Sequence, residues 1–160
     1  MSVPTEEEER NPEGQWSRTR LLTNLALRLA AFSMKENSPA QDGWRGSIVL
    51  VSSTSGYFGG TEVVSYVSSK HGIIGLLRSA RTKAKRMGIR LNGVAPFITP
   101  TYITSGYSDL WNGRGLPINT PDQVALGILQ IGLDPEMHGR CGLVRMAAEN
   151  HKCVKVSNAT

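Results

Sequence analysis

Three residues in this sequence have the types and spacing for proton chemistry: Ser53, Tyr66 and Lys70. Tyr66 and Lys70 are four apart, which on a helix puts them on one face, one turn above the other. An ammonium beside a phenol favours the phenolate, so such a tyrosine can exchange a proton with an alcohol or carbonyl oxygen near neutral pH. Ser53 follows the apolar, β-branched run Ser47 to Val51. A residue at the carboxyl end of a parallel strand lies where open α/β sheets place ligands, and its hydroxyl can hold the same oxygen. Each feature alone is common, because many helices carry tyrosine and lysine four apart and serines follow many strands.

These residues need a strand, an exit and a helix in that order. Ser47 to Val51 has the continuous apolar pattern of a strand buried on both faces of a parallel sheet, and it leaves through Ser52-Ser53-Thr54-Ser55-Gly56. A helix is expected from about Ser65 to Met87. Val67, Ile73, Ile74, Leu77, Ala80 and Ala84 form its apolar side, and Gly88 is its C′ stop. Upstream, residues 1–16 carry no apolar periodicity and are expected to be a disordered acidic tail. From about Ser17 to Met34, Leu21, Leu22, Leu25, Leu29 and Phe32 recur at helical steps and mark an amphipathic helix. Downstream, Ile89 to Ala95 reads as a short strand closed by Pro96, followed by a long loop. Thr120 then offers an N-cap, Pro121 a first helical residue and Gln123 a capping box for a third helix. Leu143 and Val144 begin a last strand. Strand and helix alternate, which argues α/β with a parallel sheet.

The whole string GSIVLVSSTSGYFGG…SYVSSKHGIIGLLRS, with serine, twelve residues, tyrosine, three residues and lysine, resembles the active-site segment of the short-chain dehydrogenase/reductase family. GIRLNGVAPFITPTYIT is similar to that family's strand and Pro-Gly…Thr cofactor loop, and TPDQVALGILQI…MHGRCGLV to its penultimate helix and final strand. The resemblance covers about Ser17 to Val144. It implies a partial Rossmann-like, doubly wound parallel sheet with flanking helices, missing the first strands. It further implies that Ser53 orients the substrate oxygen, that Tyr66 is the general acid/base, and that Lys70 favours the tyrosinate and bonds the nicotinamide ribose. Pro96, Ile98, Thr99 and Thr101 would line the cofactor loop. Asn24, in TNLAL, is the candidate for the family's fourth catalytic member and would also lie near the cofactor. An asparagine simply exposed on that helix is the alternative.

The implied cofactor is NADP, with NAD possible, and the implied reaction moves hydride between it and a secondary alcohol or ketone. Tyr102, Tyr107, Trp111 and Leu116 fall in the loop that covers the substrate in relatives. They suggest a small apolar metabolite, with a place in secondary metabolism. In the family the two long helices pack against a partner subunit, so a homo-oligomer is expected.

Three departures bear on activity. The family opens with a strand, a glycine-rich turn and a helix whose amides hold the cofactor pyrophosphate; nothing of that kind occurs before Ser17, nor does an Asn-Asn-Ala-Gly segment. Phe97 stands where glycine usually follows the proline. Residues 145–160 replace the usual Gly-Gly ending with a divergent tail. The expected organisation is a catalytic half at 17–144. Enzymatic activity competes with a truncated, catalytically silent remnant or a helix-mediated interaction module.

Composition bounds the remaining classes. The 160 residues are 39% hydrophobic and 19% charged, an ordinary soluble globular balance. No apolar run approaches the ~20 residues that span a bilayer. The N-terminus lacks the pattern of a secretory signal, which suggests the cytoplasm. Cys141 and Cys153 make no disulfide framework, and His138 and His151 do not complete a zinc spacing, so no metal is expected. The net charge of +5 concentrates in Arg78, Arg81, Lys83, Lys85 and Arg86. Cations there suit the end of a helix, and no aromatic residues interleave with them as a nucleic-acid platform requires.

Overall fold

The computed structural model describes residues 12–58, 64–101, 113, 118–145 and 154–158. Its elements are helix α1 (Pro12–Met34), strand β1 (Gly46–Val51), a 3-10 turn (Thr54–Gly56), helix α2 (Val64–Arg86), strand β2 (Ile89–Pro96), helix α3 (Pro121–Leu133), and strands β3 (Arg140–Val144) and β4 (Val154–Asn158). The strands form one sheet in the order β1-β2-β3-β4. β1, β2 and β3 are parallel, and β4 runs antiparallel to β3.

Strand alternation divides the core between two faces. Ile48, Leu50, Leu91, Ala95, Cys141 and Leu143 pack with Ile73, Ile74 and Leu77 of α2 and with Leu27, Ala31 and Met34 of α1. On the other face Val49 and Val94 pack with Ile128 and Ile131 of α3 and with Met137. The sheet is therefore doubly wound, the α/β arrangement expected.

Local signals place several boundaries. Gly88 adopts a φ of 70° just past α2, the left-handed conformation that ends helices most easily in glycine. At α3, Thr120 Oγ1 accepts the Gln123 N–H at 3.3 Å while Gln123 Oε1 accepts the Thr120 N–H at 2.8 Å, a complete capping box. The last turn of α3 has no basic residue of its own. Arg90, buried on β2, donates instead to the carbonyls of Ile131, Gly132 and Asp134 at 3.4, 2.6 and 2.7 Å. These carbonyls have no partner inside the helix, and a cation is the donor the helix dipole favours there.

The structure departs from the sequence expectations in four places. Helix α1 begins at Pro12 rather than Ser17, so residues 12–16 are helical, and proline suits a first turn where its missing N–H costs nothing. Residues 1–11 lie outside the described residues. The stripe Leu21, Leu22, Leu25, Leu29 and Phe32 is exposed, with Leu21 at 72%; Leu27, Ala31 and Met34 make the core contacts instead. β1 is half-buried with Val51 exposed, because it lies at the sheet edge, and β2 is the strand buried along its length. Finally, the segment after Val144 contributes β4, whose five residues were too short a pattern to read as a strand.

Candidate active site

The chemistry-bearing residues converge at the carboxyl end of β1. The Ser52 N–H continues the parallel ladder one step past the strand, donating to the Val94 carbonyl at 2.7 Å. Ser53 is extended (φ −160°, ψ 163°) and caps the 3-10 turn, its Oγ accepting the Ser55 N–H at 3.2 Å. Accepting that bond leaves the Ser53 hydroxyl hydrogen as a donor.

The turn is laid directly against α2. The Ser52 hydroxyl donates to the Lys70 carbonyl at 3.0 Å. Gly56 sits beside both: a Cβ there would be 2.6 Å from Ser52 Oγ and 2.8 Å from the Lys70 oxygen. Glycine is required by this approach, since its φ is unremarkable.

Tyr66 and Lys70 share the first turns of α2 as expected. The Lys70 ammonium lies over the Tyr66 ring, 5.6 Å from its centroid, within cation–π range. It also donates to the Val51 carbonyl at 3.3 Å, which ties it to the strand that delivers Ser53. Burial pushes Lys70 below the usual lysine pKa, because a charge withdrawn from water is disfavoured until oxygen ligands replace the lost solvation.

The structure thus brings Ser53, Tyr66 and Lys70 to one end of the sheet. Asn24 is exposed on α1, and no hydrogen bond among the described residues joins it to the three. Pro96 ends the neighbouring strand β2, and Ile98, Thr99 and Thr101 follow its carboxyl end. There the Phe97 N–H donates to the Val144 carbonyl at 3.0 Å and Thr99 Oγ1 to the Phe97 carbonyl at 2.9 Å. Tyr102, Tyr107, Trp111 and Leu116 lie outside the described residues.

Sequence reasoning missed three residues that hold this end together. Ser52 and Gly56 could have been noticed in the strand exit, where a small residue allows the turn to meet a helix. Asn119 gave no signal. Fully buried, it donates from Nδ2 to the Val144 carbonyl at 2.8 Å, and its backbone N–H donates to the Ile98 carbonyl at 2.8 Å. These bonds tie together the chain on either side of residues 99–118. Among the described residues no cluster of three or more His, Cys, Asp or Glu could hold a metal ion.

A family model described as short chain dehydrogenase matches residues 16–109. Short-chain dehydrogenase reductase 4 of Arabidopsis thaliana is 44% identical over 72 residues, covering 45% of this chain and 24% of that protein. Among solved structures, 3-hydroxyacyl-CoA dehydrogenase type-2 from Mycobacterium avium superposes with a TM-score of 0.71 at 28% identity, covering 81% of this chain and 55% of that one. 4-hydroxyisoleucine dehydrogenase, solved with NADH and succinate, superposes with a TM-score of 0.56 at 25% identity, covering 77% of this chain and 50% of that one. The chain spans about half the length of these solved relatives and about a quarter of the plant protein.

Proposed function

The chain belongs to the short-chain dehydrogenase family, and on that premise we propose that it carries the proton-transfer half of an oxidoreductase acting on a secondary alcohol or its ketone. The observation that carries this reading is the seam between the end of β1 and α2, which sets Ser53 beside the turns bearing Tyr66 and Lys70. In this reading the Ser53 hydroxyl donates to the substrate oxygen and holds it. The Tyr66 phenol gives that oxygen a proton in reduction and takes it back in oxidation. Lys70 favours the tyrosinate and reaches a ribose hydroxyl.

A nicotinamide dinucleotide, when bound, supplies the hydride. The donor set suits its ribose. Lys70 has three N–H donors, and among the described residues it gives one to Val51, leaving others for sugar hydroxyls. Thr99 and Thr101, with the backbone of Pro96 and Ile98, would line the nicotinamide side, and Asn24 is assigned to the same site. The family and the NADH held by 4-hydroxyisoleucine dehydrogenase support a nicotinamide cofactor. The choice of NADP over NAD rests on the family resemblance.

The substrate is assigned as a small apolar metabolite, in secondary-metabolite biosynthesis, and residues 17–144 as the catalytic half. We assign the exposed leucine stripe of α1 to a homo-oligomer interface, since five large apolar side chains are each at least half exposed along one helix. That stripe equally favours the second reading, an interaction module without turnover. No described helix is long and apolar enough to cross a membrane. A cytoplasmic location fits the free thiol of Cys141.

The test is an assay of a panel of apolar ketones and secondary alcohols with NADPH and with NADH. NADPH-linked turnover on an apolar member supports the reading. Turnover with neither cofactor, together with concentration-dependent association of the chain, supports the interaction module.

A further inference from the structure

His138 lies in the turn between α3 and β3, at the end of the sheet opposite Ser53 and Lys70. The Leu91 N–H donates to His138 Nδ1 at 3.2 Å, and His138 Nε2 lies 3.0 Å from the Arg81 carbonyl. A backbone N–H requires a lone pair at Nδ1, and a carbonyl requires a hydrogen at Nε2. The two contacts together specify one species, the neutral imidazole protonated on Nε2.

This ring joins three elements that no strand ladder joins here. Arg81 belongs to α2 and Leu91 to β2, while His138 leads into β3. The β2–β3 ladder begins at Gly93 and Cys141, so Leu91 is beyond it, and its amide depends on the histidine for an acceptor. The Leu91 carbonyl is taken by the Gly139 N–H at 2.8 Å. Trp44 covers the imidazole, with centroids 5.5 Å apart and planes at 19°.

We propose that His138 is a proton-operated latch: one proton at Nδ1 breaks the bond to Leu91 and loosens the α3–β3 turn on β2, which Gly139 and Asn92 continue to hold. A hydrogen on Nδ1 would face the Leu91 hydrogen, donor against donor, and leave that amide without an acceptor. The charge would also appear in basic company. Arg81 and Lys85 face the ring from α2 and Arg90 from β2; Asp42 and Arg45 flank Trp44, and Glu136 and Arg140 flank His138 along the chain.

Burial, foremost, holds the His138 pKa below its usual value; the cations add to this, and the Arg81 carbonyl opposes it. The sign follows from linkage. A histidine depressed in the folded state binds fewer protons there than when unfolded. Its contribution to stability is complete above the unfolded value, about 6.5, and is lost as pH falls through the folded pKa.

The test uses the whole 160-residue chain. NMR follows the His138 ring from about pH 8 to about pH 5 while exchange of the Leu91 amide, corrected for intrinsic pH dependence, is read at each step. The expected result is a His138 midpoint below about 6.5, with Leu91 protection falling at least ~10-fold in step with it. Thermal melts of His138→Gln should lose the part of the pH dependence that the wild type shows between about pH 7 and about pH 5. Leu91 protection that stays constant through the His138 titration would overturn the latch, as would a midpoint at or above the ordinary value. A His138→Gln variant with the full wild-type pH dependence would do the same. Should that variant fail to fold, the wild-type exchange measurement decides alone.

Discussion

Ser52 donates its hydroxyl to the Lys70 carbonyl at 3.0 Å, and Gly56 lies against both partners of that bond. This seam fixes how the residue after Ser52 stands relative to the helix that carries Tyr66. Gly56→Ala would place a methyl 2.8 Å from a backbone oxygen that cannot swing aside. Overpacking of this kind costs about 1–3 kcal/mol. A melt lowered by that amount is expected by calorimetry, together with reduced turnover in the assay; an unchanged melt would mean that the seam yields freely.

Tyr66→Phe removes the proposed proton donor and leaves the ring. A loss of roughly 10²–10⁴-fold in kcat is expected. Lys70→Ala should lower kcat and also raise the KM for cofactor, since one side chain serves both tasks. Steady-state kinetics separate the two, and a Tyr66→Phe protein that keeps most of its kcat rules out the donor.

Arg90 supplies the donors at the end of α3 from a strand on the far side of the core contact. Arg90→Met keeps much of the volume and strands the carbonyls of Ile131 and Gly132, while that of Asp134 keeps the Met137 N–H. A destabilisation of about 2–4 kcal/mol is expected, read as a shift in urea midpoint at constant slope. A midpoint within experimental scatter of the wild type would show that water replaces the guanidinium.

Calorimetry of the 160-residue chain with NADPH should show binding only in the millimolar range. Pyrophosphate recognition needs clustered amides at a glycine-rich turn, and the described residues before β1 form helix α1 and a polar connection. Ribose hydrogen bonds to Lys70 and Tyr66 contribute ~1–3 kcal/mol each, against ~4–15 kcal/mol for immobilising a ligand. Micromolar affinity with a cooperative melt would contradict this expectation.

The placement of the candidate site was legible in the sequence where it depends on local spacing. Tyr66 and Lys70 must share a helix face, and Ser53 must leave a strand just before it, so one segment records all three. The capping box at Thr120 and Gln123 is local in the same way. The residues that hold the ends of the sheet are another matter, because their partners are remote. Arg90 reaches Asp134 across a separation of 44 residues and Asn119 reaches Val144 across 25; nothing near either one announces the bond. The stripe on α1 misled for a different reason. Periodicity reports that a helix has an apolar side, whereas what covers that side depends on other surfaces, and in this chain the core takes Leu27, Ala31 and Met34 instead.

The antiparallel pairing of β3 with β4 has a consequence for the order of assembly. Val144 pairs with Val154 across a short connection, whereas Gly46 must find Ile89 and Gly93 must find Cys141 across whole helices. Hairpins close in microseconds, and contacts between distant segments wait on the entropy of closing the chain between them. The β3–β4 ribbon can therefore form early and present a ready edge to β2. The pairings on both sides of β2 each wait for a whole helix to cross the sheet, so the end of β1 that leads into Ser53 matures after this ribbon.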